Sequence, residues 1–161
     1  MIGELDFGTD ATAIALRLLA AVLAGAVLGV NRDLHRKPAG LRTLSLVSTG
    51  SAVLVLATLI MTKGSGEAAS RVIQGIVTGV GFLGAGVIIH HEPERRVEGL
   101  TTAASVWAAA GMGAACGAGL AVLALFSLIA TMAILIFGGR IERTLRKRIL
   151  AAEDNAPEPR N

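Results

Sequence analysis

Three polar residues, Arg17, Gln74 and Thr78, stand inside otherwise apolar stretches of this 161-residue chain, and they are the first places to look for chemistry. A charge among apolar residues is costly unless something partners it. Arg17 sits roughly 9 Å into its apolar run at 1.5 Å per residue, a depth similar to that of Gln74 and Thr78 in theirs, so a contact between Arg17 and Gln74 is expected. Two related motifs, GLRT (Gly40–Thr43) and GLTT (Gly99–Thr102), open apolar runs. Glycine permits a tight turn into a helix, and Thr101 or Thr102 is expected to cap the first amides. A helix start also favours anions, and Arg42 beside one of them makes an anion or lipid headgroup the alternative. His90, His91, Glu92, Glu94 and Glu98 cluster between two runs but fit no strong metal-ligand spacing, and a solvated loop is expected there. The chain carries neither a nucleophile paired with a base nor a phosphate-cradling loop. No catalysis, metal or cofactor is expected.

The elements that hold these residues are membrane helices. Residues 75–89 read GIVTGVGFLGAGVII, with five glycines and no charge. Such glycine content would cost a water-exposed helix roughly 1 kcal/mol per position. In a bilayer the backbone has no water to bond to, so the segment stays helical and its small residues let neighbouring helices approach. Spans of about 20 residues are expected at Ala11–Val30, Thr43–Thr62 and Val72–Ile89. The uncharged stretch from Thr101 to Phe137 is too long for one crossing; Gly117–Gly119 breaks it into a short fourth helix, Thr101–Cys116, and a fifth, Leu120–Phe137. The expected fold is all-α, with five transmembrane helices.

Composition agrees. The chain is 53% hydrophobic and only 17% charged, where soluble domains carry about 25% charge. The net charge of +3 does not signal nucleic-acid binding, because the basic residues lie between and after the apolar runs. Arg32, Arg36, Lys37, Arg42, Arg95, Arg96 and the basic residues from Arg140 onward would all face one side, with Lys63 and Arg71 on the other. The positive-inside rule then puts the C-terminus in the cytoplasm and the N-terminus outside. The acidic first ten residues do not resemble a secretory signal. The expected organisation is an extracytoplasmic segment (1–10), a transmembrane domain (11–138) and a basic tail (139–161), disordered from Ala151. Within the tail, Ile141, Leu145 and Ile149 recur every four residues, as in a short helix on an anionic leaflet. Cys116, the single cysteine, can form no intrachain disulfide.

A shift of 59 residues aligns the chain with itself without a gap. Gly25, Arg36, Gly40, Leu41, Thr43 and Val47 fall on Gly84, Arg95, Gly99, Leu100, Thr102 and Val106, and Asp33 falls on Glu92. This predicts two parallel-repeat helical hairpins plus a fifth helix, a plan known in transporters. Gly25 and Gly29, Gly75 and Gly79, and Gly113 and Gly117 are small-residue pairs at four-residue spacing, and Gly81, Gly84 and Gly86 extend the set. On the second helix Ser45, Ser48 or Thr49, and Ala52 share a face. All are packing surfaces, within one chain or between two.

Read in order, RVIQG (71–75), GVGFLGAG (79–86), VEGLTTAASVW (97–107) and GMGAACG (111–117) resemble the signature of MgtC/SapB-type bacterial membrane proteins, and RLLAA (17–21) and KPAGLRT (37–43) fit as well. The likeness covers roughly residues 10–140. It implies an inner-membrane protein linked to growth in low magnesium and to survival of pathogens in host cells. Some members of that family are regulators that bind other membrane proteins, including the F-type ATP synthase, and older descriptions make them magnesium transporters. Many carry a cytoplasmic C-terminal domain, whereas this chain is closer to the short SapB-like type. One departure stands out: the usual Gly-x-Glu-Arg is Gly29-Val30-Asn31-Arg32 here, which casts doubt on any role resting on that acid.

The function expected is therefore regulation through contact with membrane lipids and membrane proteins, or with a second copy of the chain. The alternative is transport of an ion or small solute past Arg17, Asn31, Gln74, Thr78 and Thr102; a third is lipid or anion binding. No acidic residue falls inside the expected spans, whereas Mg²⁺ is normally held by carboxylates and water.

Overall fold

A computed structural model describes residues 10–91 and 96–154. Five helices follow in order: α1 (Ala11–Leu34), α2 (Leu41–Met61), α3 (Gly66–Val87), α4 (Leu100–Gly117) and α5 (Ala121–Asp154). Four of them, α5 through Gly139, are long and apolar enough to cross a membrane. The fifth, α4, spans 18 residues, about 27 Å. It is the most enclosed of the helices in its body: eleven of its residues are buried, against three in α3. It packs on α1, α2 and α3. The helices thus match the expected spans, and the break between α4 and α5 falls where the glycines placed it.

Each helix start has a chemical reason. Asp10 accepts a bond from the Thr12 amide ahead of α1, and Ser65 accepts one from the Ala68 amide ahead of α3. In the first turn of α3, Glu67 pairs with Arg71 one turn on. Between α4 and α5, Gly119 takes φ +78 and Leu120 N bonds Ala115 O at 2.8 Å. That left-handed closure is open to glycine, and it is the break read from the sequence.

The repeat survives in the contacts. A Cβ placed on Gly25 would lie 2.5 Å from Leu44 O, and one on Gly84 would lie 3.5 Å from the Ala103 Cβ, the equivalent partner. Gly40 and Gly99 occupy the same position at the starts of α2 and α4. The hairpins differ in the connection. Where α1 stays helical to Leu34, α3 stops at Val87, and Ile89–His91 pairs antiparallel with Arg96–Glu98 (β1 and β2). The sequence reading of a plain loop missed this ribbon.

Contacts divide the chain after Leu128. The first body contains α1 to α4 and the opening of α5, with a core of Ala21, Ala52, Ala115, Cys116 and Ala124. The second contains the rest of α5, where Ile129, Ile134 and Phe137 are exposed, as suits a helix surrounded by lipid. α5 continues unbroken to Asp154, past the expected domain boundary and four residues into the stretch expected to be disordered. The side chains of Ile141 and Leu145 lie outside the described set.

Candidate functional site

The two arginines of α1 lie fifteen residues apart, about 22 Å along the helix, and both reach α4. Arg17 Nη1 donates to Gly117 O at 3.3 Å, and Arg32 Nη2 donates to Thr102 Oγ1 at 3.2 Å. Gly117 ends α4 and Thr102 lies in its first turn. Helix α4 thus runs antiparallel along α1, held at both ends by guanidinium groups.

The Arg17 contact corrects one expectation. Arg17 meets a helix terminus in place of Gln74, and its guanidinium also lies against Gly119, 3.1 Å from where a Cβ would stand. The last carbonyls of a helix lack partners and carry partial negative charge, so a cation from α1 suits them better than a neutral amide would. Gln74 and Thr78 are exposed on α3, and the Thr78 hydroxyl donates to the Gln74 carbonyl of its own helix at 2.9 Å.

The Arg32 end corrects another. Neither Thr101 nor Thr102 caps α4: its cap is Gly99 at φ +96, with no side-chain bond to the helix amides. Thr102 is 2% exposed and spends its oxygen on Arg32, which is itself 4% exposed with Nε unpartnered. At the start of α2 the cap is Gly40, also without a side chain, but Asp33 Oδ2 accepts from the Leu41 amide at 2.9 Å. Arg42 and Thr43 are exposed, and Asn31 is half-buried with its carbonyl bonded to the His35 ring. Nothing in residue type distinguishes Arg32 from the basic residues that follow it; only its depth in the packed structure does so.

The glycine pairs separate into two kinds. Gly25 and Gly29 lie against the α2 backbone at Leu44 and Leu41, and Gly113 and Gly117 lie against the α2 carbonyls of Ser48 and Ala52. Ser48 is fully buried and donates to Ala21 O at 2.8 Å, so the Ser45–Ser48–Ala52 face of α2 takes both neighbours. Gly75, Gly79, Gly81 and Gly86 have nothing within 4 Å of an added Cβ. Gly75 and Gly79 line an open groove of about 470 Å³ between α2 and α3, together with Leu46, Gly50, Leu54 and Leu83. A smaller cavity of about 190 Å³ lies between α1 and the start of α5, bordered by Ala20, Ala24, Cys116 and Leu128. Both are apolar; Ser51 is the one hydroxyl on either.

Among the described residues no group of three His, Cys, Asp or Glu side chains could hold a metal ion. Glu92 and Glu94 lie outside the described residues, as do the side chains of His90, His91 and Glu98.

The family model described as MgtC family matches residues 18–144. The chain is 45% identical over 114 residues to Protein SrpB of Synechococcus elongatus, covering 65% of this chain and 63% of that protein. It is 46% identical over 98 residues to Protein MgtC of Salmonella typhimurium, covering 61% of this chain and 40% of that one. An uncharacterized Haemophilus influenzae protein is 36% identical over 114 residues, covering 66% and 48%. The chain therefore spans less than two thirds of the length of these relatives. No solved structure matches it.

Proposed function

The chain belongs to the MgtC family, and from that premise we propose that it is a regulator of bacterial membrane proteins, linked to magnesium homeostasis and acting by contact rather than by catalysis. The α2–α3 groove receives a transmembrane helix of the partner. One observation carries this reading: Gly75 and Gly79 form a small-residue pair of the kind that joins membrane helices, and none of the described residues covers them. The other two such pairs are consumed by internal packing on α2. Lipid fills the groove when the partner is absent. The basic connection beside Arg32 and the basic second half of α5 face the cytoplasm of the inner membrane, with the N-terminus outside.

The partner favoured by family resemblance is the membrane sector of the F-type ATP synthase. The test is co-purification of that sector with the full chain from native membranes. Gly79→Leu fills the groove and is expected to reduce recovery at least about tenfold, the effect of losing one close helix contact. Gly86→Leu, equally open but outside the groove, leaves recovery unchanged. Loss of self-association in Gly79→Leu, with the ATP synthase never recovered, would assign the groove to a second copy of this chain. Ion flux into liposomes holding the pure protein, abolished by Arg17→Gln, would replace regulation with transport.

A further inference from the structure

We propose that Arg32 and the first turn of α4 form an oxyanion site that takes a phosphate group, either free or carried by a phospholipid headgroup. The inference does not depend on the α2–α3 groove.

Four observations meet at this point. Arg32 is 4% exposed, its Nη2 is 3.2 Å from Thr102 Oγ1, and its Nε has no partner among the described residues. On a guanidinium the Nε–H and one Nη2–H point the same way, as a fork that fits two oxygens of one oxyanion. In Arg32 the Nη2 arm of that fork is held at the first turn of α4, since Thr102 is the third residue of the helix. Second, among the described residues no side chain caps the leading amides of α4, and Gly99 cannot be replaced by a residue that would supply a cap. Its φ is +96, and a Cβ there would lie 2.3 Å from Val87 O.

Third, among the described residues the two helix starts receive opposite charges. The start of α2 receives the Asp33 carboxylate at 2.9 Å, while the start of α4 receives a cation. A helix start is already partly positive, so the pair at α4 is repulsive. The only ion pair among the described residues, Arg71 with Glu67, lies at the start of α3. Among the described residues the Arg32 guanidinium, 4% exposed, is bonded to a neutral hydroxyl and keeps a buried Nε unpaired, which is unfavourable for a charge. One oxyanion resolves all three defects: it bridges the fork, accepts from the leading amides of α4 and offsets both positive charges. Fourth, there is a way in. Leu100 and Thr101 are exposed and Gly99 is half-buried, so the start of α4 opens to the surface.

The rival is a carboxylate of this chain. Glu92 stands 59 positions after Asp33, and Glu98 immediately precedes Gly99; either would serve as an internal counter-ion.

The experiment uses the full chain in dodecyl maltoside, a phosphate-free detergent, with thermal unfolding followed by the fluorescence of Trp107. Sodium phosphate is compared with sodium chloride at equal ionic strength. Phosphatidylglycerol is compared with diacylglycerol in mixed micelles. A ligand that binds the folded state raises the unfolding midpoint with concentration. A response to phosphate assigns a free ion; a response to phosphatidylglycerol alone assigns a headgroup; each supports the site. Arg32→Gln is expected to weaken the response at least about tenfold, through loss of two charged hydrogen bonds. Thr102→Val, close in shape, weakens it about threefold, and Arg32→Lys, which keeps the buried charge, falls between because an ammonium cannot form the fork. No response in the natural chain overturns the proposal. So does a response that appears only in Glu92→Gln or Glu98→Gln, and so does one that all three site variants leave unchanged.

Discussion

Gly113–Gly117 on α4 and Gly75–Gly79 on α3 are the same motif in the sequence and opposites in the structure. A Cβ on Gly113 would stand 2.0 Å from the Ser48 carbonyl, and one on Gly117 would stand 2.3 Å from that of Ala52. At Gly75 and Gly79 a Cβ would meet nothing. Small residues at four-residue spacing therefore record that two helices can approach closely, and leave open which two. In this chain the α4 pair is used to close the core on α2, and the α3 pair is left on a surface. A membrane helix gains little by hiding apolar area from lipid tails, so close van der Waals packing decides which faces pair.

The contrast is broken most severely in the middle of the closed face. Gly113→Val puts branched carbon into the α2 backbone, which has no far end of a flexible side chain to move aside. The expected loss is at least about 3 kcal/mol, at the upper end of the overpacking range, and thermal unfolding in detergent would show it as loss of the folded protein. Gly25→Ala adds one methyl 2.5 Å from Leu44 O and is expected to cost about 2 kcal/mol, measured in the same way. A midpoint unchanged in both variants would mean that α2 does not close on these glycines.

At the end of the closed face the effect is smaller. Arg17→Gln removes a charged donor from the last carbonyls of α4 but keeps an amide able to reach them. About 1 kcal/mol is expected, the size of a terminal dipole and hydrogen-bond contribution. Arg17→Met should cost more than Arg17→Gln, because it leaves Gly117 O without that donor. Equal losses would assign the role of Arg17 to packing of its aliphatic stem.

Much of this fold is legible in the amino-acid sequence. Apolar run length locates the five helices, although α5 runs on past its apolar part to Asp154, and the glycines at 117–119 mark the break between α4 and α5, because run length and backbone freedom are local properties. The 59-residue self-similarity foretells the two hairpins. Pairings across helices are not legible. Gln74 matches Arg17 in depth but faces away on α3, and depth along an axis does not give rotation about it. Arg32 is masked by its neighbours: in a positive-inside segment with Arg36, Lys37 and Arg42, one more basic residue carries no information until its 4% exposure is known. The β1–β2 ribbon escapes because three-residue strands leave too short a pattern to register.

The smallest expected effect is the one that best separates the two glycine pairs. Gly79→Ala should leave stability within about 0.5 kcal/mol, or raise it slightly, since alanine is the better helix former and no neighbour stands in its way. Set beside Gly25→Ala, the same methyl in the same kind of motif then differs by about 2 kcal/mol, which is the difference between a face in use and a face held open. The comparison turns informative if Gly79→Ala proves costly. A loss above about 1 kcal/mol that grows as the protein is concentrated would show a second copy seated in the groove, because only association makes stability depend on concentration. A loss independent of concentration would place one of this chain's own helices against Gly79, and the groove between α2 and α3 would then be part of the core and no surface for a partner.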